Sequence, residues 1–199
     1  MEQKLSRKER EYLQHRNEIL QSAEKLFAEV GYHNTSMDMI AEKAEFSKGS
    51  LYNYFQNKEN LFFSLLQEKL DSFTSKLNQK IEEQVSVEDK LSAHIAFYFD
   101  YFNQNSEFFK IAHTEKHRLD MNSREKLMLG VKEKYFSYTS MIIKIIRQTG
   151  CDTEKAELLA ESINGILNSL MTRKILTGNK FTISKLKNFA LENTLKLLR

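Results

Sequence analysis

The 199-residue chain contains no proline, no tryptophan, one cysteine and only six glycines. Proline and glycine supply most of the turns that many-stranded sandwiches and barrels need, so their scarcity favours an all-helical fold. A single cysteine excludes a disulfide framework and zinc sites built from several thiolates. No apolar run reaches the roughly 18 residues of a membrane-spanning helix, and residues 1–12 do not resemble a secretory signal. These absences predict a soluble, cytoplasmic protein.

The net charge of +3 does not by itself indicate a nucleic-acid-binding protein. Residues 1–60 carry nine Lys and Arg against ten Asp and Glu, so the positive excess lies in the rest of the chain. A hypothesis of DNA binding must therefore depend on where particular side chains are placed.

Apolar spacing predicts four consecutive helices in the first part of the chain. The first covers residues 7–30, and Gly31 is expected to close it in the left-handed conformation. A short second helix follows Ser36, a third covers residues 50–56, and a fourth begins at Lys58. Helices as short as the second and third are unstable alone, so they must pack as a unit. Two short helices joined by a tight turn between longer helices predict a helix-turn-helix domain.

The third helix carries a candidate DNA-reading surface. Its apolar residues, Leu51 and Phe55, share one face and are expected in the core. The other side chains are short polar groups and phenols, which suit base edges, thymine methyl groups and phosphates. They are Lys48, Ser50, Tyr52, Asn53 and Tyr54.

Two segments carry a resemblance to a known family. Residues 31–41 read Gly-x-x-x-Thr-Ser-Met-Asp-Met-Ile-Ala, and residues 46–61 read Phe-Ser-Lys-Gly-Ser-Leu-Tyr-Asn-Tyr-Phe-x-Asn-Lys-Glu-x-Leu. Both resemble the DNA-binding domain of TetR-family transcriptional regulators. The resemblance implies an all-helical homodimer. Residues 1–57 would form a three-helix DNA-binding domain, and residues 58–199 a larger helical domain that binds an inducer and dimerises.

The resemblance also implies roles for single residues. The positions that would meet the major groove are Lys48, Gly49, Ser50 and Tyr52. The positions that match phosphate contacts are Ser36, Tyr54 and Lys58. For the two tyrosines the alternative is packing into the core, and that alternative is stronger for Tyr54 than for Tyr52.

Two positions depart from the family pattern, and both add negative charge near the DNA. Glu45 replaces the usual glycine of the turn, so the turn is expected either to adopt another backbone conformation or to bear strain. Asp38 stands where a basic residue is frequent. These changes place more demand on a basic N-terminal arm, for which a frayed, solvated terminus is the alternative. The arm consists of Lys4, Arg7, Lys8 and Arg10.

Residues 90–148 are the expected ligand-binding region, as the resemblance implies. The region is dense in aromatic rings and has few polar groups, which suits a largely apolar small molecule. For each candidate residue, packing into the core is the alternative. The candidates are His94, Tyr98, Phe102, Phe109, His113, Tyr135, Tyr138 and Met141.

The last two predicted helices, residues 153–176 and 184–198, have apolar faces and small residues that allow close helix approach. They are expected to form a two-fold dimer interface, with an intrachain hairpin as the alternative. The candidate interface residues are Ser162, Gly165, Ile166, Ser169, Leu170, Phe189 and Leu195.

No metal site, cofactor site or catalytic motif is predicted. In His113-x-Glu115-x-His117 the two histidines, at i and i+4, share a helix face, but no third ligand is evident nearby, so a solvated face is the favoured interpretation. The sequence predicts a ligand-responsive repressor, not an enzyme, that a small molecule releases from a palindromic operator. The alternative is a dimeric interaction or ligand-carrier module that has lost DNA readout.

Overall fold

A computed structural model of the protein describes residues 5–115, 121–178 and 180–198. Within these ranges helices are the only regular secondary structure, which confirms the predicted fold class. None of the helices in these ranges combines the length and apolar character needed to span a membrane. The helices are α1 (Arg7–Val30), α2 (Met37–Lys43), α3 (Lys48–Tyr54), α4 (Lys58–Glu82), α5 (Val87–Gln104), α6 (Ser106–Glu115), α7 (Met121–Arg147), α8 (Thr153–Thr177) and α9 (Ile183–Leu197).

The chain divides into two compact units between Glu68 and Lys69, inside α4. The domain boundary expected from the sequence, between residues 57 and 58, coincides with the start of that helix. The assignment of DNA binding to the first domain and ligand binding to the second stays a prediction.

The first unit is built around one apolar core. Each of its helices contributes a side chain that is at most 1% exposed: Phe27 of α1, Ile40 of α2, Leu51 of α3 and Leu61 of α4. This shared burial stabilises α2 and α3, which are too short to persist alone.

Two local features of this unit differ from expectation. Helix α3 begins at Lys48 instead of Ser50, because the Ser47 hydroxyl accepts a hydrogen bond from the Ser50 backbone N–H (3.1 Å) and caps the helix. Gly31 has φ +84° and ψ 158°, which is not the expected left-handed helical conformation. That combination of angles is essentially confined to glycine.

The second unit packs α4 residues 69–82 together with α5–α9. Helix α7 lies along α8, and α5 contacts α7, α8 and α9. Phe99, Ile142 and Leu167 are fully buried in the common core. Helix α7 begins at Met121.

The expected solvated face at residues 113–117 is wrong for Glu115, of which only 6% is exposed. Helix α6, which carries Glu115, packs against α5 and α8, so this side chain does not face solvent. His117 lies outside the described residues.

Candidate functional site

One face of α3 presents the predicted DNA-reading side chains. Leu51 is fully buried on the inner face, whereas Tyr52 is 44% exposed. The structure therefore brings the predicted α3 residues other than Tyr54 together on a surface that a ligand can reach. Of these, Lys48, Gly49 and Asn53 are exposed and Ser50 is half-buried. Ser36 is exposed and caps α2, where its hydroxyl accepts a hydrogen bond from the Met39 N–H (3.2 Å).

Lys48 is paired with the acidic residue that departs from the family pattern. Its Nζ lies 2.8 Å and 2.9 Å from the two carboxylate oxygens of Asp38, so the pair links α3 to α2 on the protein surface. The hydrogen bond that Lys48 donates to Asp38 and the attraction of the carboxylate charge raise the pKa of Lys48 above its ordinary value. The lysine predicted to contact DNA therefore stays protonated, and the carboxylate of Asp38 beside it offsets its positive charge.

Glu45 occupies the turn between α2 and α3 with φ +61°. The turn thus keeps the conformation that glycine adopts easily. Of the two expectations, another backbone conformation or strain, the structure shows strain. The Phe46 N–H donates to the Ala41 carbonyl (2.9 Å) and closes the end of α2. For a residue with a Cβ, this region costs about 1–2 kcal/mol.

Tyr54 packs against α1. Its ring stacks on Tyr12, with centroids 4.8 Å apart, and its hydroxyl lies 3.1 Å from Nδ1 of His15. Packing is the role that these contacts show for Tyr54, and its phosphate contact stays a prediction.

Lys58 has a structural role that sequence reasoning missed. Its ammonium donates to the backbone carbonyls of Tyr32 (2.7 Å) and Thr35 (2.8 Å) and lies 4.4 Å from the centroid of the Tyr32 ring. Lys58 therefore holds the connection between α1 and α2 against the start of α4. Its contact with phosphate stays a prediction.

The described part of the basic arm is helical. Ser6 and Glu9 form a reciprocal capping box at the start of α1, and Arg7 pairs with Glu11 (2.8 Å). Lys4 lies outside the described residues. The predicted basic residues Arg7, Lys8 and Arg10 are thus exposed on the first turn of a helix.

The second unit contains a cavity of about 160 Å³ between α4, α5, α7 and α8. Four of the eight predicted ligand-binding residues line it: Tyr98, Phe102, Tyr135 and Tyr138. The other four do not. Phe109 packs on Phe102, with ring centroids 4.5 Å apart, and His94 forms a hydrogen bond with Tyr138. His113 lies on α6, and Met141 lines a separate groove.

His94 and Tyr138 form a buried polar pair beside the cavity. His94 Nε2 lies 2.6 Å from the Tyr138 hydroxyl, whereas Nδ1 has no partner among the described residues. Burial lowers the pKa of His94 to about 3, so the ring is neutral at physiological pH. We assign the proton to Nε2, because a buried unpaired N–H is rarer than a buried unpaired acceptor.

The phenols of the cavity are also neutral. Burial is the main cause that raises the pKa of Tyr98, Tyr135 and Tyr138 above the ordinary value for tyrosine. For Tyr135 the hydrogen bond that its hydroxyl donates to Glu161 (2.6 Å) contributes as well. The aromatic wall therefore presents uncharged rings and hydroxyl groups.

Sequence reasoning missed several residues of the cavity wall. Phe73 of α4 and Lys134 of α7 are among them, as is Asn164 of α8, whose side chain is buried. Helical periodicity gave no signal for Asn164, because the sequence of α8 predicts an interface helix. The cavity wall that contains Asn164 forms only when α7 packs on α8.

A larger open groove of about 920 Å³ lies beside the cavity and involves the same helices α4 and α7. Its lining includes Lys90, Lys144 and Ser140, so it is more polar than the cavity. Thr74 lines both spaces. A polar groove and an aromatic cavity therefore meet at α4.

The predicted interface residues lie on the outer surface of α8 and α9. Ser162, Gly165 and Ser169 are exposed, Phe189 is 52% exposed, and Ile166, Leu170 and Leu195 are half-buried. Leu158, which the sequence interpretation did not include, is 65% exposed on α8. The dimer interface itself stays a prediction.

Comparison with known proteins identifies the family. Residues 19–65 match the family model "Bacterial regulatory proteins, tetR family", and residues 66–197 match "YsiA-like protein, C-terminal region". The Fatty acid metabolism regulator protein of Bacillus subtilis is 25% identical over 177 residues, which cover 88% of this chain and 91% of that protein. The transcriptional activator FasR of Mycolicibacterium smegmatis is 26% identical over 152 residues, covering 76% of this chain and 68% of FasR.

The fold agrees with that of a solved relative. The crystal structure of FadR from Bacillus subtilis in complex with stearoyl-CoA superposes with a TM-score of 0.73 at 24% identity, covering 92% of this chain and 99% of that chain. The two family models together cover both the helix-turn-helix and the helical domain after it. The chain belongs to the TetR family of bacterial transcriptional regulators.

Proposed function

We propose that this protein is a cytoplasmic, homodimeric repressor that binds a palindromic operator through two copies of α3. A largely apolar small molecule, bound in the second unit, releases it from the DNA. The observation that carries the proposal is the exposed polar face of α3, in which Tyr52 is exposed while Leu51 is fully buried. In the second unit, the aromatic cavity supports the effector part of the proposal.

The shape of the second unit favours an effector with one apolar and one polar end. The apolar end fits the ring-lined cavity, and the polar end fits the groove that shares Thr74 with it. The B. subtilis relative is named a fatty acid metabolism regulator, and stearoyl-CoA, the ligand of the FadR structure, has such a division. Stearoyl-CoA is therefore the first compound to test.

The size of the cavity sets a condition on that effector. Its roughly 160 Å³ is close to the volume, about 150 Å³, of an engineered cavity that takes up benzene, whereas ligand pockets usually measure about 300–1,000 Å³. A long acyl chain therefore enters only if the lining side chains move.

DNA binding is tested by fluorescence anisotropy with labelled DNA from the region upstream of the protein's own gene. We expect sequence-specific binding that weakens as salt increases. Replacement of Lys48 or Tyr52 by alanine should reduce discrimination between operator and unrelated DNA by about tenfold. Lys25→Ala, an exposed change on α1, is the control. A folded dimer that binds operator and unrelated DNA equally would overturn the proposal.

Release is tested by adding stearoyl-CoA to the protein–operator complex. A repressor of the proposed kind loses operator affinity, because the effector binds the DNA-free state more tightly. FasR is named an activator, so the experiment must determine whether the effector lowers or raises the affinity for the operator. A compound that binds and strengthens the operator complex would contradict the repressor mechanism.

One observation favours a second candidate, a ligand-carrier or interaction module without DNA readout. Asp38 pairs with Lys48, and this places a carboxylate on the surface proposed to face DNA. If the protein is a carrier module, the Asp38→Asn variant, which lacks this carboxylate, still binds operator and unrelated DNA equally. If the protein is a repressor, the variant binds the operator more tightly than unrelated DNA.

A further inference from the structure

We propose that Asn164 selects effectors whose buried, otherwise apolar part carries a hydroxyl or another hydrogen-bond donor. The inference rests on the proposed function, because it concerns the same effector site. It adds a preference, for a donor in the buried part, that a plain saturated chain such as that of stearoyl-CoA does not satisfy.

The side chain of Asn164 is buried in the cavity wall with an unpaired acceptor. The residue is 4% exposed and lies on α8, where it lines the cavity. Its Nδ2 donates to the Thr139 hydroxyl (3.2 Å), whereas Oδ1 has no partner in the described part of the chain. A buried acceptor without a partner costs about 1–3 kcal/mol, so native proteins keep few of them. A donor on the effector would remove that cost.

Four other polar groups of the wall already have partners. The Tyr135 hydroxyl donates to Glu161, the Tyr138 hydroxyl bonds to His94, Lys134 pairs with Asp71, and the Thr74 hydroxyl donates to the Leu70 carbonyl. The buried unpaired atoms in the described residues are His94 Nδ1, Asn164 Oδ1 and Thr194 Oγ1, and only Asn164 belongs to the cavity lining. A donor that enters the cavity therefore comes beside a lining residue whose buried acceptor is otherwise unused.

The amide orientation matters to the chemistry of the ligand. With Nδ2 on Thr139, the unpaired atom is an acceptor and the ligand must donate. A half-turn of the amide would leave the NH₂ group unpaired instead, and the ligand would then have to accept. A probe that can accept but not donate distinguishes these two cases.

Small aromatic probes suit a cavity of about 160 Å³, because a cavity of about this size takes up benzene. Phenol and toluene have the same number of non-hydrogen atoms, and only phenol donates. Anisole keeps the oxygen as an acceptor but has no donor. Affinities are measured by titration calorimetry on the full chain without DNA.

The test is the ratio of the phenol and toluene dissociation constants in the wild type and in Asn164→Leu. Leucine has nearly the shape of asparagine and no acceptor, so we expect the preference for phenol over toluene to fall about tenfold. The matched control is Asn103→Leu, an exposed change on α5 away from the cavity, which should leave the ratio unchanged. Circular dichroism establishes that each variant is folded.

Three results would overturn the proposal: an unchanged ratio in folded Asn164→Leu, anisole binding the wild type as tightly as phenol, or no binding of phenol. If Asn164→Leu does not fold, the wild-type comparison still decides, since we expect phenol to bind about tenfold more tightly than anisole. Failure of the proposed function is seen separately, in the anisotropy assay. Loss of operator binding with intact phenol selectivity would leave the cavity assignment standing.

Discussion

The two compact units of the protein differ in the burial of the polar side chains that we assign to their binding surfaces. In the first unit, Lys48 and Tyr52 are exposed on α3, so a change of polarity there leaves the core intact. In the second unit, His94 and Asn164 are buried, and each has one polar atom without a partner within the described ranges. A solvated polar group can stay bonded to water, whereas a buried unpaired group destabilises the fold.

Substitutions of polar residues should therefore have different effects in the two units. Polar changes on the first unit should alter DNA affinity with little effect on stability. Polar changes inside the second unit should alter stability and ligand preference together. The predictions below test that division, beginning with a change that removes the support of the DNA-reading surface itself.

The largest effect is expected from Leu51→Ala, which leaves a cavity beneath α3. Leu51 is fully buried, and substitutions of this kind cost about 2–5 kcal/mol. We expect urea denaturation to show that loss and operator binding to disappear, while phenol binding to the second unit persists. Tyr52→Ala on the opposite face of α3 is the control for stability. If Leu51→Ala also abolishes phenol binding, the two units do not act separately.

The second effect is a pH dependence that originates in the second unit. Because burial lowers the pKa of His94 to about 3, the unfolded chain binds a proton below pH 6.5 that the folded protein does not. Stability is therefore full above pH 6.5 and falls as the pH drops towards 3, by about 1.4 kcal/mol per pH unit from this residue.

His94→Gln removes that titration. Between pH 6.5 and 5 the wild type should lose about 2 kcal/mol more than the variant, as measured by urea denaturation at each pH. Carboxylates titrate in both proteins and cancel in the difference. Parallel pH profiles for the two proteins would show that His94 is not held neutral by burial.

The residues of these two predictions differ in how well the sequence predicts their burial. Helix spacing is a local property, so it predicts the fold class and the inward position of Leu51. The burial of His94 and Asn164 depends on how α5, α7 and α8 pack, and no local pattern reports that. The contacts of Lys58 with the carbonyls of Tyr32 and Thr35 are missed for the same reason, since they join segments more than twenty residues apart.

A smaller effect is expected at the strained turn of the first unit. Glu45→Gly removes the Cβ from a residue with φ +61° and should stabilise the protein by about 1 kcal/mol. Glu45→Ala removes the charge and keeps the strain, so it is the matched control and should leave the urea midpoint nearly unchanged. Equal stabilisation by both variants would attribute the gain to charge rather than to backbone conformation.

The smallest effect on stability, and the sharpest separation of the two units, is expected from removing one carboxylate of an exposed ion pair in each. Asp38 pairs with Lys48 in the first unit, and Asp100 pairs with Lys187 in the second (2.6 Å). Exposed pairs contribute little to stability, so Asp38→Asn and Asp100→Asn should both leave the melting temperature almost unchanged.

Their effects on DNA should differ. Asp38→Asn frees Lys48 and removes a negative charge beside it, so operator affinity should rise and the dependence of log affinity on log salt should steepen by about one unit. Asp100→Asn should change neither quantity, because Asp100 is on α5, outside the unit that carries α3. Anisotropy titrations at several salt concentrations measure both. Equal salt slopes for Asp38→Asn and wild type would mean that the pairing of Lys48 with Asp38 has no bearing on DNA binding.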